Sequence, residues 1–399
     1  MRRNAFLFVA ISVVAGFGST AMSLVAGVWI LDLTGSSSLA GLAGFCVFAP
    51  TLAGPWLGAL VDRVPRRPLL ITVDLVLAAV LLSLLAVRSR EQAWLIYAVM
   101  LAYGISYVLL DAGESALLPA ALPATVLGDV NGWRSSAQEG MKLIAPLVGA
   151  ALYSWHGGPA ATVLAATTPI LVAGLYALVR LDRAVSTVSG RRTAPGGGFR
   201  VGLSVLWGNR AVRVPVLVAG ISIAMSGFGN SAVYATVTDR LGLAATTMGI
   251  LASAQGAGSI AGGLGVGRLL ARFGAVRVAA CGAALFAAGG VVQSLAGWPL
   301  LVAGSVLIGI GLPWTLIAGV TAVQTNTPDA LLGRVSATSI TVMFGPNALA
   351  IPLGAAAVHL GSRPPLLMAA VVCLVTAVLA TVFGRAEAST RENDAVAVP

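Results

Sequence analysis

Four ionisable side chains in otherwise apolar stretches are the residues best suited to do chemistry in this chain. Lys142 is its only lysine, Glu139 precedes it by three positions, and Asp111 and Glu114 repeat that spacing. Side chains three or four positions apart lie on the same face of a helix. The spacing therefore predicts two charged helix faces, each able to form ion pairs or to take up and release a proton.

A lysine within a membrane-spanning helix costs roughly 2.5 to 3.5 kcal/mol on insertion scales. Lys142 should therefore have partners, and a cluster with the three acids supplies them. Unlike arginine, a lysine or a crowded carboxylate can change its protonation state, which makes the cluster a candidate for proton coupling. A purely structural ion-pair network, or charges that reach water at the membrane surface, explains the same pattern, and both interpretations stay open.

A short charged segment between two apolar stretches is the second distinctive feature. It contains Gly58, Asp62, Arg63, Arg66 and Arg67. A glycine allows close helix packing in a membrane, and arginines hold a loop on the cytoplasmic side. Topology alone requires no acid, so Asp62 predicts a specific partner. The alternative is a charged turn that only fixes the topology.

The elements that must position these groups follow from the composition. Hydrophobic residues make up 58% of the chain and charged residues 10%. A bilayer core of about 30 Å needs roughly 20 apolar residues per helix, and uninterrupted apolar runs favour helices over barrel strands. Twelve such helices are predicted, near residues 5–30, 39–60, 69–87, 93–117, 134–155, 160–179, 214–237, 247–270, 275–295, 299–321, 336–359 and 364–384.

The net charge of +10 is explained by basic residues in the cytoplasmic segments between these helices. Basic residues are retained on the cytoplasmic side of a membrane. With the N-terminus inside, only Arg88, Arg90, Arg240 and Arg363 fall on the outer side. The pattern predicts a multi-pass protein of the bacterial plasma membrane with both termini in the cytoplasm, and it argues against nucleic acid as a partner.

An enzymatic function is disfavoured by the residues that catalysis would use. The only histidines, His156 and His359, lie near the outer helix ends without zinc-ligand spacing. The sequence has no nucleophile elbow with a matching histidine and acid, and no phosphate-binding Gly-x4-Gly-Lys loop. We therefore expect no catalytic residues, no metal and no cofactor.

The two halves of the chain are diverged copies of each other. Shifting the chain on itself aligns Gly58 with Gly267 and Arg63 with Arg272. A parallel repeat of this kind is typical of two six-helix halves related about the membrane normal. The predicted divisions are an N-terminal half at 1–180, a polar cytoplasmic connector at 181–213, a C-terminal half at 214–385 and a cytoplasmic tail at 386–399.

These motifs resemble those of the major facilitator superfamily of transporters. The Gly58 to Arg67 segment is similar to the signature loop between helices 2 and 3, with Pro65 where the pattern usually has glycine. The segments Leu33 to Ser36 and Gln324 to Val335 bring the resemblance nearest to bacterial drug and siderophore exporters. The sequence departs from that group in a degraded helix 5 motif at 145–150, in predicted helix 1, which has no acid, and in helix 4, which has no arginine.

The resemblance implies the all-α major facilitator fold, with twelve transmembrane helices in two pseudo-symmetric halves. It also implies that Asp62 contacts the start of predicted helix 11, at residues 336–359, where Arg334 and the helix dipole favour an anion. This contact would latch the cytoplasmic gate, together with Gly58, Arg63, Arg66 and Arg67. Asp74, early in predicted helix 3, is assigned to the same inner gate network.

The function implied is export of hydrophobic or amphipathic small molecules by alternating access, driven by proton antiport. The protein is expected to act as a monomer in the lipid bilayer. A binding cavity near the midplane between the halves would be mostly apolar, with scattered polar groups. The candidates are Ser19, Ser23, Tyr103, Tyr107, Asn230, Tyr234, Gln255 and Asn347.

Two alternatives remain open from sequence. An importer or lipid carrier could share the same fold, since fold decides neither direction nor substrate. A non-transporting receptor or scaffold could also use it, and would leave Lys142 and Asp62 individually dispensable.

Overall fold

The computed structural model of the protein describes residues 2–61, 64–180, 197–295 and 297–396. Throughout these ranges the regular elements are helices, and they contain no strand. The predicted all-α class is thus confirmed. A helix satisfies its own backbone hydrogen bonds, which is what a segment without access to water requires.

The chain divides into two compact units. Unit 1 comprises Met1–Pro195 and Val237–Gly256, and unit 2 comprises Gly196–Thr236 and Ala257–Pro399. The segment Val237–Gly256 packs in unit 1, whereas the division drawn from sequence placed it in the second half.

Unit 1 is a bundle in which α1 packs along α6. One end of its core surrounds Phe8 and Leu70, and the other surrounds Trp29 and Leu81. Ser36 caps α2 by accepting a hydrogen bond from the Leu39 amide at 3.3 Å. The helices of this unit are α1 (Arg2–Thr34), α2 (Ser37–Phe48), α3 (Gly54–Val61), α4 (Arg66–Leu82), α5 (Ala93–Ala121) and α6 (Ala124–Leu178).

The long helix α6 is broken at Gly157, where φ is 70° and ψ is −167°. A positive φ of this size favours glycine, and Pro159 follows within the same turn. The break lies between the two predicted helices 134–155 and 160–179. The start predicted at 134 was wrong, because the helix begins at Ala124, directly after its N-cap Pro123. Arg134 therefore lies inside a helix.

Unit 2 contains the second set of long helices. Its first helix, α7, packs on α12, where Gly202 approaches the Arg334 carbonyl oxygen and the Thr338 side chain. The side chain of Leu206, one turn further along α7, is fully buried. The remaining bounds are α7 (Gly197–Gly208), α8 (Arg210–Ala235), α9 (Met248–Phe273), α10 (Ala275–Ser294), α11 (Trp298–Asn326), α12 (Asp329–Ala357) and α13 (Arg363–Val396). The first part of α9, up to Gly256, belongs to unit 1.

Nine helices in the described ranges are long and apolar enough to cross a membrane. The first extends to Thr34, beyond the predicted end at residue 30, and so contains Asp32, which lies beside Tyr153. Predicted helix 1 was therefore too short, and the helix does carry an acid. Large apolar side chains such as Trp56, Trp94 and Trp155 are exposed, as expected of surfaces that face lipid.

Glycines bring several helix backbones of unit 1 into contact. A Cβ added to Gly104 on α5 would overlap the Val47 carbonyl oxygen on α2. At Gly256 on α9 it would lie 2.6 Å from the Lys142 carbonyl oxygen on α6, and at Gly249 it would lie 2.9 Å from that of Pro146. Small residues permit close approach where hydrophobic burial between helices contributes little.

We predict opposite effects of alanine at two helix-interior glycines. Gly104→Ala should lower the free energy of unfolding by about 1 to 3 kcal/mol, because the added methyl overlaps backbone atoms. Gly263→Ala on α9 is the matched control, since nothing lies within 4 Å of its added Cβ; it should raise stability by roughly 0.5 to 1 kcal/mol. Thermal unfolding in detergent measures both. Equal midpoints for the two variants would contradict the close packing of α5 on α2.

Candidate functional site: a buried charge network

An ion pair between α5 and α6 forms the centre of the site. Arg134 Nη2 lies 2.6 Å from Glu114 Oε2, and the two side chains are only 16% and 14% exposed. Arg134 Nε also donates to Ser12 Oγ on α1 at 3.0 Å, and Nη1 donates to Asn131 Oδ1 at 3.3 Å. One guanidinium therefore joins three helices in unit 1.

Helix α4 brings a second carboxylate to the same region. Asp74 is 2% exposed, and its Oδ2 has no hydrogen-bond partner in the described part of the chain. It lies close enough to Glu114 to interact electrostatically. Gly113 allows this approach, because a Cβ there would lie 2.8 Å from a methyl carbon of Leu70, which precedes Asp74 by one helical turn.

Tyr176 on α6 completes the buried network. Its ring is 2% exposed and lies beside both Glu114 and Asp74. The second oxygen of Glu114, Oε1, is buried and makes no hydrogen bond of normal geometry among the described residues, but the Tyr176 side chain lies within hydrogen-bonding reach of this carboxylate. Asp74 Oδ2 thus lies in the core without a donor in the described part of the chain, which is unusual for native proteins.

The predicted cluster of four charges is divided in the structure. Lys142 pairs with Glu139 on its own helix at 2.5 Å, with exposures of 50% and 35%. Glu114 pairs instead with Arg134, and Asp111 is exposed within electrostatic range of the same arginine. The structure therefore separates a half-exposed pair from a buried network.

The sequence analysis missed Arg134 as the partner of Glu114, because it placed this arginine in a cytoplasmic segment. The signal that could have found it is Pro123, which starts a helix early enough to carry Arg134 past its first turns. Asp74, assigned to the gate network, lies beside Glu114.

Arg67 of the motif and Arg3 of α1 contact the end of α6. Arg67 Nε donates to the Tyr176 carbonyl oxygen at 3.0 Å, and its Nη2 donates to that of Ala177. Arg3 donates to the Leu178 carbonyl oxygen. Cations at a helix C-terminus satisfy its last carbonyls and oppose its dipole. The backbone of Tyr176 therefore contacts the motif, and its side chain lies beside the buried carboxylates.

Part of the predicted gate lies outside the described residues, namely Asp62 and Arg63. Gly58 lies in α3, and Arg66 begins α4. Arg334 is exposed near the start of α12 in unit 2. The latch between Asp62 and Arg334 stays a prediction.

The predicted cavity residues differ in exposure. In unit 1, Ser23 and Tyr107 are exposed, and Ser19, Tyr103 and Gln255 are partly buried. In unit 2, Asn230 is partly buried, whereas Tyr234 and Asn347 are almost fully buried. Asn347 packs against Gly227, and its Oδ1 has no hydrogen-bond partner in the described ranges. Which of these residues line a cavity stays a prediction.

Comparison with protein-family models matches residues 6–238 and 216–398 to the Major Facilitator Superfamily. Among curated proteins, the chain is 24% identical over 353 residues to macrolide efflux protein A of Streptococcus pyogenes, covering 82% of this chain and 81% of the relative. A protein of the same name from Enterococcus faecalis is 24% identical over 343 residues, covering 80% and 98%.

Solved structures with the same fold include three kinds of transporter. A bacterial homologue of the iron transporter ferroportin in an inward-facing state superposes with a TM-score of 0.67 at 16% identity, covering 95% of this chain and 99% of the other. A POT family transporter gives 0.74 at 12%, covering 96% of each chain. The nucleoside transporter NupG gives 0.68 at 12%, covering 96% and 98%. At these identities the likeness shows the fold alone.

We predict that the two ion pairs differ in their contribution to stability. Arg134→Ala should cost about 3 to 5 kcal/mol, because it leaves buried carboxylates without their counter-charge. Lys142→Ala should cost about 1 kcal/mol or less, because its pair is half exposed. Thermal unfolding in detergent measures both losses of stability. A double-mutant cycle of Arg134 and Glu114 gives the interaction energy of the buried pair.

The double variant Arg134→Leu with Glu114→Leu controls for lost packing, and it should recover a large part of the loss because no unpaired arginine or glutamate remains. If Arg134→Ala were no more destabilising than Lys142→Ala, the buried pair would have no structural role.

Proposed function

This chain belongs to the major facilitator superfamily, and from that membership we propose that it exports bulky amphipathic small molecules of the macrolide type by proton antiport. The observation that carries the direction of transport is the similarity to two proteins named for macrolide efflux, over at least 80% of this chain. The fold itself hosts importers and exporters alike, so it does not decide direction.

We propose twelve crossings in two six-helix halves. Nine helices in the described ranges qualify as spans, and one of them, Asp129–Leu178, is 50 residues long and is broken at Gly157. A crossing needs roughly 20 residues, so this stretch supports two. Helix α9 and the interrupted Ser37–Val61 region, which includes a shorter apolar stretch, would supply the remaining two.

In the same proposal the protein acts as a monomer in the bacterial plasma membrane with both termini in the cytoplasm. The distribution of arginines supports this orientation. Arg3, Arg66 and Arg67 lie at neighbouring helix ends in unit 1, and two of them donate to the last carbonyls of α6. Such a basic surface is typical of a cytoplasmic face.

Proton coupling is supported by the kind of charges that the bundle contains. Asp74 and Glu114 are carboxylates in apolar helices with little exposure, and Asp74 Oδ2 has no hydrogen-bond partner among the described residues. Buried ionisable groups within spans are costly, and in transporters they mark proton or ion pathways. No bound group is needed for such coupling, since the carboxylates themselves can take up the proton.

Transport in energised inside-out vesicles tests the proposal. When a macrolide is added outside, its uptake should release protons from the acidic lumen, because each inward substrate movement is coupled to outward proton movement. The measurement is lumenal pH by a fluorescent dye together with uptake of labelled macrolide. Vesicles without the protein, and vesicles treated with a protonophore, are the controls. Uptake that is unaffected by the protonophore would contradict antiport, and uphill movement in the reverse direction would contradict export.

A further inference from the structure

We propose that the transported proton is shared by Asp74 and Glu114, with Arg134 as their fixed counter-charge, and that the exposed Glu139–Lys142 pair does not carry it. This inference rests on the proposed proton antiport and assigns its residues. Asp74 then acts as the coupling residue on α4.

The first argument is the charge balance of the buried group. An arginine side chain carries a fixed positive charge. With both carboxylates ionised, the three side chains carry one excess negative charge in a core that excludes water. A buried net charge is costly, and a single added proton removes it. Asp111, the other acid near Arg134, is exposed in the structure and adds a further negative charge beside Glu114.

The second argument is the position of the unsatisfied oxygen. Glu114 Oε2 is held by Arg134, and the Tyr176 side chain lies within hydrogen-bonding reach of the same carboxylate, whereas Asp74 Oδ2 is buried without a donor in the part of the chain that the structure describes. A buried carboxylate oxygen without a donor costs about 1 to 3 kcal/mol, and more when it is charged. A proton on Asp74 cancels its charge and turns one oxygen into a donor. Glu114 can then remain ionised against Arg134.

The surroundings of Asp74 contain no cation in direct contact within the described residues. Helix α4 packs mainly against α5 and α6. The titratable and charged groups that these helices bring near Asp74, directly or through Glu114, are Tyr103, Asp111 and Glu114 from α5 and Tyr176 and Arg134 from α6. Both tyrosines are neutral donors. The nearest positive charge to Asp74 in the described residues is therefore that of Arg134, which already pairs with Glu114.

The Glu139–Lys142 pair differs on each count. It has one acid and one base, so its charge is balanced without an added proton. Its side chains are 35% and 50% exposed, which allows both charges to be solvated.

The exchange step at the buried carboxylates is simple: a proton from the outer solution adds to one carboxylate oxygen of Asp74 or Glu114, and the same O–H bond later breaks to release it inside.

A path for coupling to the gate is present in the same helices. Tyr176 lies beside Asp74 and Glu114, and its carbonyl oxygen accepts a hydrogen bond from Arg67 of the signature segment. Asp74 is about 12 Å of helical rise from Arg66 at the start of α4. Neutralisation of the carboxylates therefore changes the charge next to the residue that anchors the loop.

Two transport assays in proteoliposomes test the assignment. One measures uphill macrolide transport driven by a proton gradient, and the other measures exchange of labelled for unlabelled macrolide without a gradient. Asp74→Asn mimics the protonated state, so it should reduce uphill transport by a factor on the order of ten or more while exchange persists. Asp129→Asn is the matched control, because Asp129 is exposed on α6, and it should keep both activities.

The outcomes separate the inference from the proposed function. If Asp74→Asn keeps full proton-driven transport, or if Glu139→Gln uncouples transport and Asp74→Asn does not, the assignment is overturned. If the native protein shows neither transport nor exchange with any macrolide, the proposed function fails. The assignment can then still be examined by the spectroscopic measurement below.

Infrared spectroscopy of the folded protein provides a readout that does not depend on transport. The native protein should show the carbonyl-stretch band of a protonated carboxyl group that titrates with pH. Asp74→Asn should remove this band, and Glu114→Gln should shift or remove it, whereas Asp129→Asn should leave it in place. Persistence of an unchanged band in both Asp74→Asn and Glu114→Gln would overturn the proposal even if those variants were inactive.

Discussion

The arrangement of unit 1 depends on keeping one arginine and two carboxylates together in a core that excludes water. Arg134 satisfies this constraint by contacting α5 through Glu114 and α1 through Ser12. An isolated charge in such a place would be far more costly than the pair. The positions of α1, α4, α5 and α6 are therefore linked, because displacing any one of them exposes or orphans a charge that the others help to hold.

Close packing of apolar helices makes that network possible. Lipid tails are as apolar as leucine, so helices in a membrane gain little from hydrophobic burial against one another. Backbone contacts at Gly104 and Gly256 supply packing instead, and Gly113, which packs against the Leu70 side chain, brings α4 close to Glu114. The break at Gly157 turns α6 back along the bundle, so that Arg134 and Tyr176 reach the same buried region from two parts of one helix.

The signature segment and the buried network form one connected structure in unit 1. Arg67 holds the last carbonyls of α6, and Tyr176, next to that contact, lies beside Asp74 and Glu114. The segment for which the sequence predicts a gating role is thus anchored, through Arg67, to the helix that carries the arginine of the charge network. Membership of the superfamily gives this connection a context, since alternating access requires that ion binding and gate position depend on each other.

The sequence alone determined the all-helical membrane class and the family. Hydropathy over about 20 residues and the signature segment are local properties, and they do not depend on which helices are neighbours. The sequence did not determine which charged side chains pair between helices. Spacing along one helix correctly joined Glu139 to Lys142, but it could not show that Glu114 faces Arg134 or that Asp74 is buried beside them. Those contacts join different helices, and their geometry is set by glycine contacts and by the N-terminal start of α6, so only the tertiary structure decided which charges share the core.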